Sequence, residues 1–268
     1  ILQDKLWYYF SFRVQGQRKD TLNVYYNQNA GNPNAWTYVP DLAKPAFSDR
    51  TWENYTPRIT WQITPRNKFT GSWDEQPVCR KCTGTTSLTG TPNFIFPTSP
   101  EADGHGEFSP QRVQTARWTS PVTNRLLLEA GYGSTYYEWG GKEVADNQTR
   151  DLVQVIQILQ PIAPGVTTPM RYRSQSWLNN RTTGSTWNAA ANYVTGSHSM
   201  KFGYQGNYWA DDREISVNSQ ALQYTFVGAP GSGIPYTITQ YANGYNVNAR
   251  AMQLSLYAQD QWTIDRLT

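Results

Sequence analysis

Alternation with a period of two residues runs through most of this chain, and it restricts the fold more than any other feature. Between Leu6 and Val14, the residues Leu6, Tyr8, Phe10, Phe12 and Val14 fall on one side of an extended backbone. Tyr9, Ser11 and Arg13, with Gln15 just beyond, fall on the other. Between Asn54 and Ile63, Tyr55, Pro57, Ile59, Trp61 and Ile63 alternate with Thr56, Arg58, Thr60 and Gln62. The same sorting recurs in Lys68–Glu75, Arg125–Tyr136, Thr186–Thr195, Ser199–Trp209 and Met252–Ile264, and more weakly in Gln111–Thr119. A helix would scatter these residues around its circumference, whereas a strand separates them onto two faces. Eight strands are expected, with irregular pairing at Pro57, which lacks a ladder donor.

The connections carry a second pattern. Four are tight: Thr64-Pro65-Arg66-Asn67, Ser120-Pro121-Val122-Thr123-Asn124, Thr195-Gly196-Ser197-His198 and Ile264-Asp265-Arg266. Their Pro, Gly, Asn and Asp are turn formers. The others are long, over residues 18–52, 77–110, 140–184 and 211–248, and long and short alternate. Compact soluble domains seldom hold several long structureless loops. Outer-membrane barrels expect this asymmetry, with short periplasmic turns and long outer loops. Within the long stretches, Gln220–Val227 reads as part of a hairpin, and Leu152–Leu159 fits either a strand or a short helix.

Composition fits the same fold. Charged residues make up 16% and aromatic residues 14%, with 11 Trp and 18 Tyr among 268 residues. The mean hydropathy is −0.66. There is no run of eighteen apolar residues to form a transmembrane helix. A sheet with one apolar and one wet face reconciles few charges with a polar mean. Trp7, Trp61, Trp73, Trp139, Trp209 and Trp262 lie near strand ends, where membrane interfaces place aromatics. A net charge of +3 gives no argument for a nucleic-acid partner. The fold class expected is all-β, an antiparallel transmembrane β-barrel segment. The competing reading is a soluble secreted β-sandwich that binds glycans through exposed aromatics.

Few residues suggest chemistry, and neither an enzyme site nor a cofactor is expected. Cys79 and Cys82 are spaced for a redox pair or half a zinc site. The two histidines, His105 and His198, lie in separate segments, so a local disulfide pinning an exposed loop in an oxidising compartment is the plainer reading. Asp211, Asp212 and Glu214 follow a strand directly, as a solvated rim would. Gly228-Ala229-Pro230-Gly231-Ser232-Gly233 lacks the Lys-Ser/Thr of a phosphate loop. Ligand contacts are expected instead from aromatics of the long connections: Trp36, Tyr38, Trp177, Tyr236, Tyr241 and Tyr245, with Phe94 and Phe96. The alternative is that these rings pack on one another and keep the loops compact.

Several segments carry a family resemblance. Leu254-Ser255-Leu256-Tyr257-Ala258-Gln259-Asp260-Gln261-Trp262-Thr263-Ile264 resembles a barrel strand of TonB-dependent receptors, and Tyr193–Tyr204 resembles a hairpin of the same proteins. Lys5-Leu6-Trp7-Tyr8-Tyr9-Phe10 and Thr64-Pro65-Arg66-Asn67-Lys68 are similar to further strands and turns, nearest to the Oar-like subgroup with a carboxypeptidase-regulatory-like domain. The resemblance implies a 22-stranded barrel with an N-terminal plug. It also implies uptake of an unknown ligand with energy passed on by TonB, and outer-membrane lipid as a partner. Signal peptide, plug, TonB box and C-terminal closing strand are not recognised here, so the chain reads as part of such a barrel. A small closed eight-stranded barrel is the other membrane alternative.

The alternation assigns the apolar set to lipid and the polar set to the lumen. Charges on the lipid face near mid-membrane should therefore cost about 2–4 kcal/mol and charges on the lumen face far less, and Phe202→Arg against Gln205→Arg compares the two faces. Folding yield into detergent compares the two, and equal losses would overturn the assignment of faces.

Overall fold

The computed structural model describes residues 4–80, 82, 98–103, 105–143, 145–158, 169–228, 233–242 and 244–263. Among the described residues twelve strands form two sheets. The large sheet is an antiparallel meander of β1 (Leu6–Asn27), β2 (Pro40–Thr64), β3 (Asn67–Glu75), β4 (His105–Pro121), β5 (Leu126–Lys142), β8 (Trp177–Thr195), β9 (His198–Ser216) and β12 (Tyr245–Trp262), hydrogen-bonded in that order. The small sheet contains β6 (Gln154–Ile158), β7 (Pro169–Tyr172), β10 (Leu222–Val227) and β11 (Ile234–Gln240), in the order β11-β10-β6-β7.

All eight expected strands are present in the large sheet, and its register explains the alternation. One row across it reads Leu6, Trp61, Phe69, Trp118, Ala130, Ala189, Tyr204 and Leu256. The next row on the same face reads Tyr8, Ile59, Gly71, Ala116, Tyr132, Trp187, Gly206 and Leu254. The third contains Phe10, Pro57, Trp73, Gln114, Ser134, Ser185, Tyr208 and Met252. These three rows contain no charged residue. Charge begins one row further toward the outer end, with Glu75, Arg112 and Arg250. On β5 the stretch from Leu126 to Tyr136 covers this band, which is the length a tilted strand needs to span. Large rings stand at its margins: Trp61, Trp118, Tyr204 and Trp262 at the inner end, and Phe12, Tyr55, Trp73 and Tyr136 at the outer end. Trp7, Trp139 and Trp209, which the sequence placed in this girdle, point by register to the polar face.

The strands run far beyond the alternating segments. Of residues 18–52, only 28–39 connect β1 to β2, so the expected long loops are largely paired backbone. Above the band both faces are wet, as in Gln15-Gly16-Gln17-Arg18-Lys19-Asp20. Alternation then vanishes from the sequence although the ladder continues. At Pro57 the ladder to β1 is unbroken, while toward β3 the pairs stop at Tyr55/Glu75 and resume in register at Arg58/Ser72. The expected irregularity is thus confined to the β3 side. Leu152–Leu159 contains the strand β6, and Gln220–Val227 contains β10, which forms a hairpin with β11. The turn at 264–266 lies outside the described residues. β1 and β12 are the sheet's two edges and do not pair with each other among the described residues.

At the outer end the connections condense into a cap. Val24, Tyr38 and Ala46 from the β1–β2 hairpin form one apolar cluster with Val155, Met170 and Tyr172, and Phe226 packs against it. Arg173 ties the cap together. Its Nη1 donates to the carbonyls of Asn32 and Ala35, its Nη2 to Pro33 and its Nε to Val153. Its guanidinium lies 4.0 Å from the Trp36 ring centre. Buried Glu101 accepts from Asn27 Nδ2 at 2.8 Å and from the Arg173 amide, which joins the second long connection to the first and third.

Two substitutions test this packing. Arg173→Ala removes charge-assisted hydrogen bonds worth about 1.5–3 kcal/mol each at most. It should make residues 28–39 protease-sensitive while the large sheet keeps its heat-modifiable migration; an unchanged digestion pattern would count against the clamp. At Gly206 an added Cβ would stand 2.6 Å from the Trp187 ring. Gly206→Val should therefore lower the urea midpoint of the folded sheet by an overpacking cost of about 1–3 kcal/mol.

Candidate functional site

The polar face of the large sheet is the first candidate surface. Glycines recur on it: Gly131, Gly133, Gly184 and Gly203 all carry this parity, with side chains of Asn188, Thr186, Thr135 and Tyr257 folded over them. A concavity of about 640 Å³ lies here, with Arg117, Glu129, Asn188, Lys201, Gln205 and Gln253 in its lining. Arg117 Nη2 meets Glu129 Oε1 at 2.6 Å, and Asn192 Nδ2 donates to the other Glu129 oxygen at 3.0 Å. Nearer the outer end, Asp211 accepts from Thr182 at 2.7 Å and pairs with Arg213 at 2.7 Å. Asp74 accepts from Asn54, Thr56 and Gln76. Each of these acids is already engaged, so the face offers a fixed polar lining.

Charge is divided between the two faces. Among the described residues in continuous register, the polar face carries Arg13, Lys19, Arg50, Arg58, Lys68, Arg117, Lys201 and Arg213, against Asp74, Glu129 and Asp211. On the other face the ratio reverses. Arg18, Arg112, Lys142, Arg181 and Arg250 stand against Asp20, Asp49, Glu53, Glu75, Glu107, Glu138, Asp212, Glu214 and Asp260. All the outward-face charges flank the apolar band. Several form pairs, such as Arg250–Asp212 at 2.6 Å and Lys142–Glu138 at 3.1 Å.

The aromatics expected to meet a ligand divide into two groups. Tyr38 and Trp177 are buried. Tyr38 accepts from the Tyr25 amide and donates to the Tyr25 carbonyl. Trp177 lies under Arg150, whose guanidinium is 4.3 Å from the ring centre. Trp36 stacks on Tyr224 at 5.4 Å with Arg173 on its ring. Its carbonyl accepts from the Tyr172 hydroxyl at 2.9 Å, which burial pushes up to about 12 and so keeps protonated. Tyr241 is half-buried and donates to Gln223 at 2.8 Å. Tyr236 remains open at 66% exposure, between exposed Ile234 and Ile238 on β11. Tyr245 opens β12, paired with Ile215. Phe94 and Phe96 lie outside the described residues.

The remaining sequence candidates have structural partners. Cys79 and Cys82 are joined as a disulfide with Cα atoms 4.8 Å apart. Both are buried against the outer part of β2, with the Cys79 amide donating to the Thr51 carbonyl, so the pair itself is packed rather than exposed. His198 Nδ1 lies 2.6 Å from Asp260 and its ring stacks on Trp262, across the β9–β12 ladder. Asp212 is held by Arg250, and among the described residues no cluster of three potential ligands is placed to hold a metal. Sequence reasoning missed Arg173 and Glu101. Neither sits in a periodic segment, and nothing local distinguishes them from solvated loop charges.

Comparison with known protein families agrees with this geometry. The outer membrane beta barrel domain family matches residues 12–268. Among solved structures, the outer membrane transporter YddB from Escherichia coli aligns with a TM-score of 0.46 and 12% identity, over 97% of this chain and 30% of that one. This chain thus spans less than a third of that transporter's length. No curated protein matches. The apolar rows therefore face lipid, the polar face lines the lumen, and the protein resides in the bacterial outer membrane: the chain belongs to the outer membrane beta barrel domain family.

Proposed function

We propose that this sheet is part of the wall of a larger ligand-uptake barrel, energised through TonB acting on a plug in the full-length protein. The observation that carries the reading is the open sheet with a small-residue, polar lumen face. In hydrocarbon the free edges of β1 and β12 require pairing partners. Small barrels fill their interior with side chains, whereas wide ones leave a channel or hold a plug. The concavity of about 640 Å³ on the polar side fits the second case. The packed cap at the outer end supplies a fixed platform for first contact with a ligand, at the exposed Tyr236 strand in particular. The resemblance of the hairpin Tyr193–Tyr204 and the strand Leu254–Ile264 to TonB-dependent receptors supports the energy source. Catalysis and cofactors form no part of this reading.

Cells producing the full-length protein should accumulate its ligand only when TonB is intact. Comparing accumulation in receptor-null and TonB-null strains tests this, and uptake that persists without TonB would overturn the energisation. Deleting residues 233–240 should weaken ligand binding and leave heat-modifiable migration unchanged. Full affinity after that deletion would remove the cap's outer strand from recognition.

A further inference from the structure

We infer that the lumen wall selects anionic solutes, those presenting several carboxylate or phosphate oxygens. This rests on the uptake reading above and adds the chemical class of the ligand. Four consecutive lumen rows each hold a cation: Lys201, then Lys68, then Arg117, then Arg58. Arg13 continues the series two rows further out on β1, beside Asn54. Successive rows are about 6.7 Å apart along a strand. The cations therefore form a ladder through the full apolar thickness, rather than a patch at one mouth.

Compensation along this ladder is incomplete. Glu129 neutralises Arg117, and Asp74 is held by amide and hydroxyl donors. Arg58 and Lys68 form no ion pair among the described residues, and Arg13 donates to neutral Gln15 at 2.7 Å. Arg58 stands directly across from Tyr9, with Trp7 two residues along β1 on the same face. Both rings are at least half exposed, so the guanidinium is flanked by flat apolar surface. Such walls lower the local dielectric and strengthen the attraction for an anion. The lipid face across the same rows is uncharged. Both faces belong to the same strands and differ only in parity, so the cations are placed on the side where solute passes. General basicity would not choose a face.

The test uses the purified full-length protein in detergent at low ionic strength, with citrate and pyrophosphate as anionic probes and spermidine and maltotriose as cationic and neutral ones. Calorimetry should detect the anions and not the other two, with affinity falling as salt is raised. Comparing citrate with pyrophosphate tells carboxylate from phosphate preference. Arg13→Gln with Arg58→Gln should weaken the better anion roughly five- to tenfold, as expected for two partly screened charges. Arg181→Gln, outside the lumen, should leave it unchanged. Heat-modifiable migration verifies folding, and Lys68→Gln with Lys201→Gln replaces the first pair should that variant misfold. Equal binding of spermidine, absence of anion binding, or an undiminished affinity in the folded lumen variant would overturn the inference. Binding is read without transport, so a protein that binds anions yet shows no uptake in cells would refute the uptake reading alone.

Discussion

A peptide group in hydrocarbon has no water to bond with, and this single requirement organises the molecule. Each amide left unpaired there costs several kcal/mol. The chain meets the requirement through cross-strand ladders that run in register for up to eighteen or nineteen consecutive pairs, as between β8 and β9. Once the ladders are fixed, side chains have two directions only. Lipid takes one and water the other, and the three charge-free rows follow from that division. The same rule explains why the sheet's edges matter more than its pockets. Among the described residues β1 and β12 each leave one side of their ladder unpaired, and in hydrocarbon such a side calls for a partner.

How much of this was legible beforehand depended on the asymmetry of the surroundings. Leu6 to Val14 and Met252 to Ile264 could be read because lipid on one side and water on the other imprint opposite demands on neighbouring residues. Gln15 to Thr21 sits in the same strand as Leu6, but water on both sides leaves no imprint, and the residues read as loop. Gln111–Thr119 was faint because Val113 faces the lumen and Gln114 faces outward, against the general trend. The cap was illegible for a different reason. Its core joins Val24, Val155 and Met170 across more than a hundred residues, and Arg173 reaches carbonyls at 32–35 that no local pattern announces. Sequence reasoning found the aromatics there but not which of them would be consumed by packing.

The cap and the wall divide the work of holding shape. The wall is regular, and its stability is spread over many similar pairs. The cap is irregular and concentrates its cohesion in a few groups. Arg173 satisfies four carbonyls from two connections while covering the Trp36 ring, and Glu101 fastens a third connection to it. A buried charge in such a place is tolerated because its donors are met by fixed dipoles. The arrangement suits a surface whose contact residues can vary while its frame stays put. Tyr236 and its neighbours Ile234 and Ile238 on β11 stand exposed, outside the contacts of Arg173 and Glu101.

The length of β2 has a consequence for where the cap stands. Of its 25 residues, about eleven suffice to cross the membrane when tilted. The rest extend roughly 45 Å along the strand at about 3.3 Å per residue, or some 30 Å of height at a tilt near 45°. The cap therefore rides on a mast, well clear of the lipid headgroups. The upper halves of β1 and β2 thus stand as a paired wall above membrane level, carrying what the cap holds away from the lipid.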